Sequence, residues 1–239
     1  SLGLADEYRL ADLCAPLVIA HRALALAPAA LLARLALLAP KPGAGPAEAE
    51  RAYHAAAGWM KHHCRQLRVA RGALPVDLTV AARFFLLLGS NFNGLWRENQ
   101  EGKYNTPYCG AQKTRFRYPP LERFIEVSRR MRGRSTFFPC DFEETIDAAP
   151  ADSVIYADPP YVDTFDQYTR EGFSTDDQRR LAEALHRAAR RGARVFASNT
   201  YHPLVHEIYS WATIENVSEK WIVGGKSKGK RPCVLIRSA

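Results

Sequence analysis

The stretch "SVIYADPPYVDTF", residues 153 to 165, decides how the chain is read. Its opening, Val154-Ile155-Tyr156-Ala157, is apolar and rich in strand-forming residues, which predicts a buried strand. That strand ends on an acid, two prolines and a tyrosine. In open α/β sheets the ligand sits beyond the carboxyl ends of the strands, so the Asp158 carboxylate is expected to project into a cleft. Pro159 and Pro160 fix the backbone and remove two N–H donors, leaving carbonyl oxygens as free acceptors in a rigid loop. Tyr161 adds a flat aromatic face. Two kinds of acceptor beside an aromatic platform describe a pocket for an exocyclic amino group on a planar base. Four residues alone also allow a strand-ending turn with a packed tyrosine; their place after an apolar strand in a basic α/β chain weighs against it.

Outward from this stretch the pattern alternates. "TDDQRRLAEALHRAARRG" reads as a helix with Thr175 and Gln178 as a capping box and Gly192 as its stop. "ARVFASN" is a strand and "KWIVGGKSKGKRPCVLIRS" a terminal hairpin. Upstream, "LERFIEVSRRMR" is a helix, and Phe137-Phe138 starts a strand. Strand and helix in alternation predict an α/β fold with a mostly parallel sheet. Residues 1 to 6 run into Ala5-Asp6, and an Ala/Leu-rich helical region follows to about Ala39, with Pro28 in the first turn of its second helix. "PKPGAGP", residues 40 to 46, is a linker. A helix from about Ala47 to Val69 follows, and then the buried-helix pattern "VAARFFLLLGSNF". Residues 91 to 120 are polar, aromatic and basic with little periodicity, as expected of a binding surface.

Composition narrows the class. The chain has 239 residues, a formal net charge of +8 and a pI near 9.4, which favours an anionic partner, nucleic acid first. Its cysteines, Cys14, Cys64, Cys109, Cys140 and Cys233, are odd in number and form no CxxC pair, which predicts neither a disulfide framework nor a metal site. His62-His63-Cys64 imitates a metal cluster, but adjacent helical residues point in different directions. "LALAPAALLARLALLA" is interrupted by Pro28 and Arg34, so no membrane-spanning segment is expected, and no signal-peptide pattern is visible. The expectation from cysteine usage is a protein that works in a reducing cytoplasm.

The motif Asp158-Pro159-Pro160-Tyr161 resembles motif IV of the S-adenosylmethionine-dependent amino methyltransferases, and the surrounding text resembles the Dam-type DNA adenine N6-methyltransferases over nearly the whole chain. "FLLLGSNFNGLWRENQEGKYNTPYC", residues 85 to 109, is similar to the family's signature block ahead of and within its target-recognition region. "LADEY" resembles the acidic strand end that binds the cofactor ribose, which implicates Asp6. "CDF", residues 140 to 142, is similar to the segment at the cofactor adenine, implicating Asp141 and Phe142 beside Asp158. "FDQYTREGFSTDDQRRLAEAL" and "FASN" match the elements after the catalytic motif. The resemblance implies a Rossmann-like class I methyltransferase sheet with a helical target-recognition insertion. Residues 1–39 and 134–239 are then the catalytic domain, and residues 47–133 the DNA-binding insertion.

Within that block the residue types suit duplex DNA. Arg97 offers a bidentate contact to guanine, Asn99 and Asn105 hydrogen-bond bases or phosphates, and Phe92 and Leu95 are shaped to wedge into a base stack. By resemblance, Asn93 and its neighbours lie at the flipped base. Accepting the two N–H bonds of adenine N6 on the Asp158 carboxylate and the Pro159 carbonyl favours a pyramidal nitrogen aimed at the sulfonium methyl. Tyr161 then stacks on the extruded base.

The family's glycine-rich loop is not seen ahead of the acidic strand end, and the expectation is that this loop and the first strand, about 30 residues or more, precede Ser1. "GGKSKGKR", residues 224 to 231, nearly spells a P-loop, but Arg231 stands where Ser or Thr is required. "GAG", residues 43 to 45, follows no strand. Two alternatives stay open: a catalytically silent DNA-binding relative, and an amino methyltransferase acting on cytosine N4 or RNA.

Overall fold

The computed structural model describes residues 5–67, 74–109, 120–162, 173–223 and 226–238. The chain divides into two compact units, Ser1–Asp141 and Phe142–Ala239.

The first unit is mainly helical. A short strand β1 (Tyr8–Ala11) leads into α1 (Ala15–Leu26), α2 (Pro28–Leu38), α3 (Pro46–Leu67) and α4 (Leu78–Ser90). A single 3-10 turn (Phe92–Gly94), α5 (Leu121–Met131) and β2 (Ser135–Phe138) follow. Pro28 occupies the first turn of α2, where a missing N–H leaves no intrahelical bond unmade. The Asp77 carboxylate caps α4, accepting from the Thr79 and Val80 N–H groups at 2.8 and 3.0 Å. The apolar α4 is the centre of the unit, packed by α1, α2 and α3. Ile19, Leu31, Leu35, Met60, Leu86 and Leu87 are all fully buried in this core. Strands β1 and β2 pair in parallel, Tyr8 opposite Ser135 and Ala11 opposite Phe138.

The second unit contains α6 (Phe142–Asp147), β3 (Val154–Ala157), α7 (Thr175–Arg190), β4 (Arg194–Thr200), α8 (Pro203–Ile208), β5 (Thr213–Val223) and β6 (Lys226–Arg237). Its sheet has the order β3-β4-β6-β5. Inward-facing Val195 and Ala197 of β4 meet Leu181, Leu185 and Ala188 of α7, closed off by Val205, Tyr209, Val234 and Ile236. Helix α6 is held by ion pairs to α7: Arg187 bridges Glu143 and Asp147 at 2.8 and 2.7 Å, and Arg180 reaches Glu143 at 3.0 Å.

Several expectations are revised. The sheet is mixed, because β6 of the terminal hairpin returns antiparallel against β4 while β3 and β4 are parallel. Strand β3 is not buried on both faces: it stands at the edge of the sheet among the described residues, with Val154 and Tyr156 at 55% and 65% exposure. Its other face, Ile155 and Ala157, packs on the core, so the apolar run is half-buried. Phe137-Phe138 ends its strand instead of starting it. The capping box on α7 lies one residue earlier than predicted. Ser174 Oγ accepts from the Asp177 N–H at 3.1 Å and the Asp177 carboxylate accepts from the Ser174 N–H at 2.9 Å. Gln178 is thereby turned inward, where it has another partner. Gly192, with φ +106°, does close the helix, in a conformation that favours glycine.

Candidate active site

Parallel pairing sets Ala157 of β3 beside Ala197 of β4, so Asp158, the first residue after β3, stands beside Ser198, which is still within β4. Ser198 Oγ donates to Asp158 Oδ1 at 2.7 Å. The Tyr156 hydroxyl lies 3.3 Å from the same Oγ. Burial pushes the Tyr161 phenol above its ordinary value, and Ser198 works against that rise.

Below this surface a buried polar chain holds the loop. Gln178 Nε2 donates to the Pro160 carbonyl at 2.7 Å. That bond orients the Gln178 amide, so its Oε1 accepts from Asn199 Nδ2 at 3.1 Å. Asn199 Oδ1 in turn accepts from the Val162 N–H at 3.1 Å and the Thr200 N–H at 2.9 Å. Asn199 is fully buried and Gln178 nearly so. Every polar atom of these two amides that the loop needs has a partner, which is the condition for a buried polar chain to hold one conformation. The expectation of several free proline carbonyls is corrected: Pro160 has its carbonyl occupied by Gln178, whereas no donor among the described residues bonds the Pro159 carbonyl. Asp158 is exposed, with its Oδ1 engaged by Ser198.

The residues expected at the cofactor separate by position. Asp6 does not end a strand: it is exposed and precedes β1, and its backbone carbonyl accepts from Arg134. The acid that follows β1 is Asp12, whose carboxylate accepts from the Cys14 N–H at 2.7 Å. The signal was present as a second Leu-Ala-Asp, residues 10 to 12. Asp141 is the last residue of the first unit, and Phe142 opens the second. The Phe142 ring packs against Phe173 at 5.7 Å and under the Arg180 guanidinium at 4.9 Å.

In the first unit, residues 91 to 109 form an irregular hairpin. Asn91 bridges Tyr108, Glu98 bridges Tyr104, and backbone bonds join Asn105 N to Arg97 O and Asn99 N to Lys103 O. The strand alternation overlooked in the sequence sorts the side chains. Glu98, Tyr104 and Thr106 are buried with Trp96 half-buried beside them, and Trp96 Nε1 donates to Glu98 at 2.9 Å. Tyr53 of α3 anchors the hairpin through its hydroxyl to the Thr106 carbonyl. Of the residues predicted to touch DNA, Phe92, Asn93 and Asn105 are exposed, and Leu95 and Arg97 are half-buried. Asn93 has φ +57°, the one non-glycine residue with positive φ among those described. The Asn99 side chain is engaged internally: its Oδ1 accepts from the Glu101 and Lys103 N–H groups at 3.1 and 2.9 Å, making the turn. Residues 110–119 of the recognition block, 163–172 after the tyrosine, and the turn at 224–225 lie outside the described residues.

His62, His63 and Cys64 have three different surroundings, as their helical spacing predicts. His62 is exposed, His63 stacks on Trp59 at 3.8 Å, and Cys64 is in the core. Among the described residues, no three His, Cys, Asp or Glu side chains gather to hold a metal ion.

Known proteins have similar sequences. The chain is similar to the retron Ec67 DNA adenine methylase of Escherichia coli, 31% identical over 166 residues, which are 68% of this chain and 57% of that protein. It is 40% identical over 138 residues to the DNA N-6-adenine-methyltransferase of Escherichia phage P1, covering 56% of this chain and 18% of that protein. With the DNA adenine methylase of Vibrio cholerae the figures are 34% over 145 residues, 58% and 51%. The chain thus spans little more than half the length of these relatives, or less. The family model of the D12 class N6 adenine-specific DNA methyltransferases matches residues 7–222, which leaves out Asp6 and includes Asp12 and every residue of the site at β3 and β4. With most of its length in that match, the chain belongs to the D12 class N6 adenine-specific DNA methyltransferase family.

Proposed function

We propose that the protein transfers a methyl group from S-adenosylmethionine to adenine N6 in duplex DNA, with the target base turned out of the helix. The observation that carries this is the acceptor pair at the end of β3: an exposed Asp158 carboxylate held by one oxygen, followed by a proline carbonyl with no donor among the described residues. An exocyclic amine has two N–H bonds to give and a lone pair delocalised into its ring. Asp158 and the Pro159 carbonyl accept both N–H bonds, which draws the lone pair out of conjugation and holds the nitrogen in one orientation. The Tyr161 ring supplies the stacking face that replaces the lost base stack. Asp158 acts as acceptor and orienter.

The residues suit S-adenosylmethionine by chemistry, since its ribose hydroxyls and ammonium are donors and its adenine is a flat ring. Carboxylates follow two strands of the first unit, Asp12 and Asp141, and Phe142 offers an aromatic face. Asp12 takes the place that sequence reading assigned to Asp6. When bound, S-adenosylmethionine supplies the electrophilic methyl. The catalytic domain is assigned residues 1–39 and 134–239 in a Rossmann-like class I arrangement, and the recognition insertion residues 47–133.

The charge distribution supports DNA as partner. Residues 1–141 carry 20 Lys and Arg against 11 Asp and Glu, and residues 142–239 carry 13 against 14. The whole excess therefore belongs to the unit that holds the recognition hairpin, where it favours a polyanion. No described helix is long and apolar enough to cross a membrane.

The test is transfer of labelled methyl from S-adenosylmethionine to unmethylated duplex DNA, followed by digestion to nucleosides. Label in N6-methyladenine is the expected result. Label in N4-methylcytosine, or none with folded protein, overturns the reading.

A further inference from the structure

Ser198 contacts the side chains of Asp158 and Tyr156, and a count of its protons orders them. A serine hydroxyl has one proton to donate and two lone pairs that accept. A carboxylate only accepts, so the 2.7 Å contact to Asp158 Oδ1 uses the Ser198 proton. The Tyr156 hydroxyl, 3.3 Å away, is then the donor to Ser198 Oγ. Tyr156 of β3 and Asp158 just after it thus converge on one hydroxyl of β4. No other donor among the described residues reaches the Asp158 carboxylate. Without Ser198 the acid would be an exposed side chain at the end of an edge strand, free to turn about two bonds.

We infer that Ser198 is a positioning residue of the methyl-transfer site: it holds Asp158 by Oδ1, so that Oδ2 is the oxygen presented to the target amine. The inference rests on the reading of Asp158 as the amine acceptor. The backbone beneath is already fixed by Asn199 and Gln178, so the carboxylate rotamer is the freedom left for Ser198 to remove. Hydrogen bonds to a charged partner are the stronger kind, and water, which reaches an exposed carboxylate, replaces the bond without replacing its direction. Loss of the hydroxyl therefore acts on the rate far more than on DNA affinity.

The test compares the unaltered chain with Ser198→Ala and Ser198→Thr. Three-bond Hα–Hβ couplings of Asp158, measured by NMR without cofactor or DNA, report its rotamer. A single rotamer is expected in the unaltered chain and in Ser198→Thr, and averaged couplings in Ser198→Ala. Methyl transfer to duplex DNA is expected to fall about 10- to 100-fold in Ser198→Ala. Its dissociation constant for the same DNA should change less than about twofold, and Ser198→Thr should recover most of the rate. Couplings in Ser198→Ala that still report one rotamer overturn the inference, as does an unchanged rate. If the unaltered chain transfers no methyl group, the proposed function falls, and the couplings alone decide the role of Ser198.

Discussion

Replacing Asn199 by alanine should unlatch the loop that carries the candidate site. The side chain is fully buried and makes three hydrogen bonds, to the Val162 N–H, the Thr200 N–H and Gln178 Oε1. Alanine removes all three and leaves the partners without replacements. Gln178 is buried, so its orphaned oxygen carries a desolvation cost of about 2 kcal/mol. Val162 and Thr200 are half-buried, and water recovers part of their loss, which leaves about 0.5 to 1 kcal/mol each. Together the cost is about 3 to 4 kcal/mol. With a urea m-value of about 2 kcal/mol per molar, the unfolding midpoint should drop by about 1.5 to 2 M at unchanged slope. Urea unfolding followed by far-UV circular dichroism measures this. A midpoint shift under about 0.5 M would refute the reasoning, because the Gln178–Asn199 chain would then hold nothing that water does not hold equally well.

Other outcomes follow from single contacts. Gly192→Ala should cost about 1 to 2 kcal/mol in thermal unfolding, since φ is +106° and a Cβ would meet the Ala151 carbonyl oxygen at 3.3 Å. The side chains of Glu143 and Asp147 lie beside Arg187, whose hydrogen bonds hold both carboxyls below their ordinary values. A depressed folded-state pKa stabilises above the unfolded value and is lost as pH falls through the folded one, so this contribution should disappear below about pH 4. These groups are largely exposed, which limits it to a few tenths of a kcal/mol, and Arg187→Ala in an acid titration of stability should flatten that step. Arg97 has no ion pair among the described residues, and Arg97→Ala should weaken binding to the target duplex about 5- to 150-fold in a fluorescence titration, with less effect on unrelated duplexes.

Much of this protein was legible from local chemistry. Pro28, the apolar run of α4 and Gly192 each specify a helix boundary or a buried face by their own geometry, so the helices fall where the sequence puts them. Asp158-Pro159-Pro160-Tyr161 announces an acceptor pocket because a carboxylate, a fixed φ and an aromatic ring keep their chemistry in any context. Short-range competition was harder to read. Ser174 and Thr175 are both good caps, and only the inward pull on Gln178 selects the first. Asp6 and Asp12 both follow Leu-Ala, and the pairing of Tyr8–Ala11 with β2 makes Asp12 the strand end. The rest depended on tertiary structure, because hydrogen-bond partners far apart in sequence meet only after packing. Gln178 lies 18 residues from Pro160 and Asn199 lies 37 from Val162, yet these bonds decide which proline carbonyl stays open. Ser198 reaches Asp158 across 40 residues, through the register of two parallel strands. The sequence by itself determined which acceptor groups stand in this loop; the folded sheet decided which of their lone pairs are already occupied, because the donors come from distant parts of the chain.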